Sequence, residues 1–255
     1  MKKSYLLALI ALTFVSAPAR ADTISIRADI WCPYNCDPKG DKPGYAIEIA
    51  KEIFGKAGHQ IDYQQLNWAR ALEQVRTGAF TAAVGAAKTD APDFVFPAAE
   101  VGMSSNVFAI RKGESFDYKD LSSLDGKVMA VVNDYTYADE VNDYITKNIK
   151  DPKKIQAASG DSALVTNLNK LVAKRVDLVL EDQNVLQNTI NEQKMEDKAS
   201  VVVGTLPVTQ VYLAFSPANP KSKEYAELFD KGLAEMRSNG KLAAILAKYN
   251  LKDWH

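Results

Sequence analysis

The sequence contains few residues of the kinds that build metal centres or nucleophilic active sites. Its 255 residues include two cysteines and two histidines. This set cannot supply the four Cys and His ligands of a usual zinc cluster. One histidine is the C-terminal residue, so a Ser-His-Asp triad would depend on His59 alone. We therefore expect neither a metal site nor a cofactor.

An excess of charge of either sign is also missing. Lysine and arginine total 31, while aspartate and glutamate total 32. Because nucleic-acid binding depends on clustered cations facing phosphate, this balance predicts no nucleic-acid partner. The hydrophobic share of 47% and the charged share of 25% are average values for a folded soluble protein. Such a composition excludes a disordered chain.

No apolar run long enough to span a membrane follows the N-terminal segment. In that segment, Lys2 and Lys3 precede an apolar stretch over residues 5–15, and an Ala-x-Ala site ends at Ala21. This order is typical of a cleaved secretory signal. The alternative, a membrane anchor, would need about 20 apolar residues. We predict that residues 1–21 are a signal peptide and that the exported soluble chain starts at Asp22.

Cys32 and Cys36 are the only thiols and lie in the segment WCPYNC. An oxidising compartment favours a bond between them. The spacing differs from the Cys-x-x-Cys of redox enzymes, so we expect a structural disulfide that stiffens the loop. A reactive dithiol and two free buried thiols are the alternatives.

Strand and helix patterns alternate along the chain. Alternating or continuous apolar residues predict strands at 23–28, 61–66, 81–86, 128–132, 154–158, 176–180, 201–203 and 211–215. Helical spacing of apolar residues predicts helices from residue 46 to 54 and at 68–77, 137–146, 164–172, 181–191, 222–238 and 242–249. This alternation, with a strand-like link near residues 105–110, predicts an α/β fold of two lobes with parallel-rich sheets and helices on both faces. Ligands of such sheets bind at the carboxyl ends of the strands.

The chain resembles family 3 periplasmic solute-binding proteins, the polar amino acid receptors of ABC importers. The similar segments cover nearly the whole exported chain. They are Trp31-x-Pro33-Tyr34, Gly44 to Ile49, Trp68-x-Arg70-Ala71-Leu72, Val176-Asp177-x-Val179-x-x-Asp182 and the tail from Leu233 to Tyr249.

The resemblance implies two lobes that are joined by two crossover strands and close on a ligand. It places the first lobe at residues 22–109 and 209–255 and the second at residues 110–208. It also implies a periplasmic location, a small polar ligand, an ABC transporter permease in the inner membrane as partner, and a monomer.

One position departs from the family pattern. The family usually carries Thr-x-x-Arg after the third strand, and that Arg grips the α-carboxylate of the ligand. Here the matching segment is Thr89-Asp90-Ala91-Pro92, and proline cannot form a bidentate carboxylate pair. Either another cation substitutes, or the ligand is not an ordinary α-amino acid. Arg70 is the candidate cation, with a solvated helix residue paired to Glu73 as the alternative, and Lys88 is its rival.

The remaining candidates follow strands or begin helices. The resemblance assigns Asp182 to the ligand's ammonium group, although an aspartate also suits a helix N-cap. Its neighbour Glu181 is either a recognition group or a surface acid. We expect Tyr34 and Trp68 as aromatic walls, with Trp31 and Tyr135 as weaker candidates. Three further residues are candidate ligand contacts. Thr136 would contribute its hydroxyl, as the resemblance implies, and Gly85 and Ala87 would contribute backbone groups.

These observations predict a periplasmic protein that captures a small polar solute, an amino acid or a related compound, for an ABC importer. It would not be an enzyme. One alternative is an enzyme on the same fold, similar to the cyclohexadienyl dehydratases, with Glu181 or Asp182 as its acid or base. Another is a ligand-sensing partner of a membrane receptor.

Overall fold

The structure is a computed structural model that describes residues 21–202 and 206–255. The predicted signal peptide lies outside the described residues apart from Ala21. The strands are β1 Thr23–Ala28, β2 Gln60–Gln65, β3 Ala82–Ala86, β4 Gly102–Arg111, β5 Met129–Val132, β6 Ile155–Ala158, β7 Leu178–Asp182, β8 Ala199–Val202 and β9 Val208–Phe215. The helices are α1 Tyr45–Lys56, α2 Trp68–Arg76, α3 Asp139–Asn148, α4 Ala163–Val172, α5 Gln183–Glu192, α6 Ser222–Ser238 and α7 Lys241–Ala247.

Two mixed sheets follow each other along one continuous path, β2-β1-β3-β9-β4-β7-β5-β6, with β8 paired to β4. Strand β1 is parallel to β2 and β3, and β5 is parallel to β6 and β7. The antiparallel partners are β9 on β3 and β4 on β7 and β8. We call β2-β1-β3-β9 with α1, α2, α6 and α7 the first lobe. The second lobe is β4 to β8 with α3, α4 and α5. The predicted parallel-rich α/β fold of two lobes is confirmed.

Strands β4 and β9 link the two lobes. They pair antiparallel with Gly102–Ser105 against Val208–Val211, and each then continues into a different sheet. These are the two crossover strands that the resemblance implies. The expected link near residues 105–110 begins earlier, at Gly102. The predicted lobe boundaries, 22–109 with 209–255 and 110–208, remain a prediction.

The apolar patterns read from the sequence form the cores. On α1, the predicted face of Ala46, Ile49, Ala50, Ile53 and Phe54 is buried and packs with β1, β3, β9 and α6 in the first lobe. Alternate residues of the second sheet pack on opposite sides, because successive side chains of a strand point to opposite faces. The second sheet is therefore covered on both faces, as its continuous apolar runs predict.

A disulfide joins Cys32 to Cys36, which confirms the structural bond among the three possibilities. The same loop is held by its backbone, because the Trp31 N–H donates to the Asn35 carbonyl at 2.8 Å. The loop follows β1, and its Trp31 side chain reaches the second lobe, where it donates to Glu181.

Some helices and strands end at other residues than predicted, where hydrogen bonds of polar residues determine the end. Strand β7 runs to Asp182, two residues beyond the predicted apolar run, because its polar end still pairs with β4 at Asn106. Helix α3 starts at Asp139, two residues after the predicted Tyr137, since the Tyr137 N–H donates to the Asn142 side chain. Val203, in another predicted strand, lies outside the described residues. Within 21–202 and 206–255, none of the helices has the length and apolar character to cross a bilayer.

Candidate functional site

A cavity of about 630 Å³ lies between the two lobes. The ends of parallel strands build its walls: Asp29 and Trp31 follow β1, Gly85 and Ala87 lie at the end of β3, and Glu181 lies near the end of β7. The segment from Tyr135 to Glu140, after β5, closes the second-lobe side. Residues of the linking strands β4 and β9 form the base. This is the sheet edge at which α/β folds place their ligands.

Aromatic rings form much of the first-lobe wall. Trp31 lines the cavity and stacks on Tyr34, with ring centroids 4.1 Å apart. Trp68 opens α2 and is 7% exposed. Of the two expected walls, Trp68 lines the cavity, whereas Tyr34 lies behind Trp31 and is 1% exposed. The Tyr34 hydroxyl donates to the Met103 carbonyl at 2.6 Å, which ties this loop to β4.

Gly85 shapes the wall beside Trp31. It lies at a bulge between β3 and β9 with φ of 88°, a conformation that glycine adopts without strain. An added Cβ would lie 3.4 Å from the Trp31 ring and from the Asn35 side-chain oxygen. The absence of a side chain therefore lets both residues pack over the strand end. Ala87, the next predicted residue, also lines the cavity.

Glu181 is the most buried carboxyl group of the cavity wall, with 2% of its surface exposed. Its Oε1 accepts hydrogen bonds from the Trp31 Nε1–H at 3.0 Å and from the Asp182 N–H at 2.9 Å. Burial, with smaller contributions from Asp182 and Asp29, raises the pKa of Glu181 to about 8. The Trp31 bond crosses from the first lobe to the second.

Asp29, in the first lobe, accepts a second hydrogen bond that crosses between the lobes. Its Oδ2 accepts a hydrogen bond of 2.5 Å from the hydroxyl of Tyr135 in the second lobe. Burial raises the pKa of Asp29 to about 6, although the Tyr135 bond opposes this shift. Asp90 accepts from the Ala87 N–H at 2.7 Å, and burial raises its pKa against that bond and the nearby Thr136 hydroxyl. Tyr135 and Thr136 both line the cavity.

Asp182 lies under the cavity, fully buried, and is not among the described residues that line it. Its Oδ1 caps α5 by accepting from the N–H groups of Asn184 and Val185 at 2.8 and 3.0 Å. Its Oδ2 accepts from the Ser105 N–H at 3.0 Å and lies 3.2 Å from the Tyr34 hydroxyl. The carboxylate thus fills the helix-cap role that was the alternative for this position, and the cavity-facing acid is its neighbour Glu181.

Neither of the two predicted cations is among the described residues that line the cavity. Arg70 is exposed on α2, and its backbone N–H donates to the capping side chain of Asn67. Lys88 is exposed and places its ammonium 4.9 Å from the centre of the Tyr212 ring. Among the described lining residues, Lys119 is the one lysine or arginine.

The sequence reading missed Asp29, Asp90, Asn35 and Lys119. Asp29 had a usable signal, because it directly follows the predicted strand 23–28 and strand ends are the expected site. Asp90 lies in the very segment in which proline replaced the expected arginine. Lys119 and Asn35 carry no comparable signal, since both lie in irregular loops whose path the sequence pattern does not define.

Two lobes, a pair of linking strands and a cavity walled from both sides define a solute-binding protein of the type II periplasmic fold. The chain belongs to the bacterial extracellular solute-binding proteins, family 3, whose sequence profile matches residues 24–252. No curated protein sequence matches the chain.

Solved structures share the fold at low sequence identity. An ancestral arginine-binding protein bound to glutamine is 19% identical, with a TM-score of 0.71, and the match covers 89% of this chain and 97% of that one. An amino acid ABC transporter substrate-binding protein from Streptococcus pneumoniae bound to L-arginine is 16% identical, with a TM-score of 0.68 and coverage of 89% and 94%. A histidine kinase sensor domain with similarity to periplasmic binding proteins is 18% identical, with a TM-score of 0.73 and coverage of 91% and 98%.

Proposed function

We propose that the chain is a periplasmic substrate-binding protein that captures a small polar solute, of amino acid size, and delivers it to the inner-membrane permease of an ABC importer. Membership of the family and the fold shared with an amino acid transporter's binding protein support this proposal. The predicted signal peptide, residues 1–21, supports the periplasmic location. The protein acts as a monomer in this proposal.

The observation that carries the proposal is a cavity whose walls come from both lobes. A solute that contacts Trp31 on one side and Glu181 on the other stabilises the closed arrangement by its differential affinity for it. A permease that recognises the closed form can then distinguish loaded from empty protein. This function needs no chemical step, and we propose that the site binds without turnover. Conversion of prephenate or arogenate by the protein would contradict the proposal that the site binds without turnover.

Thermal unfolding tests the proposal. The exported chain, from Asp22 to His255, is heated with a panel of amino acids, amines, small acids and small sugars. A ligand present at 100 times its dissociation constant stabilises the folded protein by about 2.7 kcal/mol. We expect one chemical class to raise the melting temperature by several degrees. A panel without any rise would contradict the proposed function.

Ligand sensing is the second candidate, favoured by the fold shared with a histidine kinase sensor domain. The two functions differ in the membrane protein that receives the loaded form. Cross-linking of the ligand-loaded protein to inner-membrane proteins, followed by mass spectrometry, distinguishes them. Recovery of a permease supports transport, and recovery of a receptor kinase supports sensing.

A further inference from the structure

The charge of the cavity wall is one-sided. Five acidic residues line it among the residues that the structure describes, namely Asp29, Asp90, Asp139, Glu140 and Glu181. The single described cation there, Lys119, has a side chain that is 76% exposed and 3.7 Å from Asp117. An exposed lysine beside an aspartate contributes little to holding an anion, because solvent screens it. The wall therefore favours a positively charged ligand.

Three hydrogen-bond donors of the wall already donate to its own acids. The Trp31 Nε1–H donates to Glu181, the Tyr135 hydroxyl to Asp29 and the Ala87 N–H to Asp90. A ligand carboxylate would have to displace a resident carboxyl group from these donors. An ammonium or guanidinium brings only donors, and each carboxylate has further lone pairs that can accept from it.

The Asn35 side chain indicates independently that a ligand with hydrogen-bond donors suits the cavity. Asn35 lines the cavity and is 1% exposed. Its Nδ2 donates to the Asp29 carbonyl at 2.7 Å, which fixes the orientation of the amide. Its Oδ1 has no hydrogen-bond partner in the described part of the chain. A buried acceptor without a donor is costly, so a ligand donor that reached this atom would relieve that cost.

The start of α3 also disfavours an anion. This helix begins at the cavity, and the free N–H groups of a helix start commonly attract negative charge. Here the first turn carries Asp139 and Glu140. These two carboxylates already complement the positive end of the helix dipole, so little attraction remains for a ligand carboxylate.

We propose that the site takes a small organic cation that bears an ammonium or guanidinium group and no carboxylate. The positive group lies between Asp29 and Glu181, against the rings of Trp31 and Tyr135. Acidic and aromatic groups together are the usual recognition elements for such cations. This inference rests on the proposed function, because it names the class of solute that the same cavity captures.

Matched pairs of ligands test the inference. Agmatine is compared with L-arginine and cadaverine with L-lysine, since each pair differs only by the carboxylate. L-glutamine and succinate serve as neutral and anionic probes. Isothermal titration of the exported chain is expected to show at least one amine binding about tenfold or more tightly than its parent amino acid. An amino acid that binds as tightly as its amine would overturn the inference.

Variants of the wall sharpen the comparison. Glu181→Gln keeps an oxygen that can accept from Trp31 and Asp182. Unlike Glu181, glutamine cannot release a proton and become negative when the cation binds, so amine affinity should fall about tenfold or more. Asp29→Asn is the second variant, and it should also lower the affinity for the amine. Glu196→Gln, on the exposed surface, is the matched control and should leave affinity unchanged. Lys119→Met removes the one lysine or arginine of the described lining and should not weaken binding of the amine.

The possible failures are distinguishable. If L-glutamine or succinate binds and the amines do not, the inference is wrong and the proposed function stands. If Glu181→Gln and Asp29→Asn bind the amine as tightly as the original chain, the assigned position of the cation is wrong. If no compound of the broad panel stabilises the protein, the proposed function itself fails.

Discussion

Glu181 and Asp182 are adjacent acids at the end of one strand, yet they have different surroundings. Successive side chains of a strand point to opposite faces, so only one of the two can face the cavity. Glu181 lines it, and Asp182 caps α5. The sequence pattern identified this strand end as part of the site, but the predicted strand stopped at residue 180. Without the register of β7 against β4, the sequence could not decide which acid faces the ligand.

The buried Glu181 predicts a pH dependence of the ligand-free protein. Its pKa rises from 4.5 in the unfolded chain to about 8 in the folded one. Between these values the folded state binds a proton that the unfolded state does not, so stability falls as pH rises. Asp29, with a pKa of about 6, contributes at the lower end of this range. From pH 6 to 8, urea unfolding should show a loss that approaches about 1.4 kcal/mol per pH unit.

Glu181→Gln should flatten that profile, because glutamine binds no proton in either state. The exposed Glu196→Gln control should keep the slope of the original chain. An unchanged slope in Glu181→Gln would show that Glu181 is ionised in the folded protein at neutral pH.

Alanine substitution should lower the stability of the protein strongly at Asp182 and hardly at all at Arg70. Asp182→Ala removes the cap of α5 and leaves the Ser105 N–H without its acceptor, at a cost of about 2 kcal/mol or more. Arg70→Ala, at an exposed position outside the described lining, should change stability by about 0.5 kcal/mol or less. Urea unfolding measures both changes. Weaker ligand binding in Arg70→Ala, with unchanged stability, would restore its predicted role as a ligand contact.

At the scale of elements, the Cys32–Cys36 loop is the part of the wall that depends on a covalent link. It carries Trp31, which donates to Glu181, and Asn35, whose side chain bonds to the Asp29 carbonyl. The sequence predicted the bond from the compartment and the spacing. It ranked Tyr34 above Trp31 as a wall and did not name Asn35, whereas Trp31 and Asn35 line the cavity and Tyr34 packs behind Trp31. Side-chain packing inside an irregular loop has no periodic signal.

Replacing both cysteines by serine should weaken binding and lower stability. Closure of so short a loop contributes at most about 2 kcal/mol in the chain-entropy model. The ligand must then also order the loop that holds Trp31. We expect weaker binding by isothermal titration in the double variant, and in the original chain after reduction with dithiothreitol. A double variant with unchanged affinity would show that the backbone bonds of the loop suffice.

Elements with one buried face were predicted well, and elements with polar ends less so. The buried face of α1 and the strand β1 match their predicted residues. Apolar periodicity records burial, so it locates the middle of an element. The end of β7 and the start of α3 depend on polar hydrogen bonds with distant residues, which the local pattern does not contain.

For the whole molecule, strand-helix alternation predicted two α/β lobes, and the resemblance supplied the crossover strands. The pairing of Gly102–Ser105 with Val208–Val211 could not be read from the pattern, because it joins segments about a hundred residues apart in the chain. The negative charge of the cavity could likewise not be predicted from the sequence pattern, since its acids come from four separate segments of the sequence. Only the folded chain brings them to one wall.

The central claim is that the two lobes close around one small solute held in the cavity between them. Small-angle X-ray scattering tests it directly, on the exported chain with and without the solute that most raises its melting temperature. We predict a smaller radius of gyration when the solute is bound. At a solute concentration equal to the dissociation constant of the original chain, the decrease should be smaller for Glu181→Gln. A radius of gyration that stays constant while the solute binds would contradict the claim.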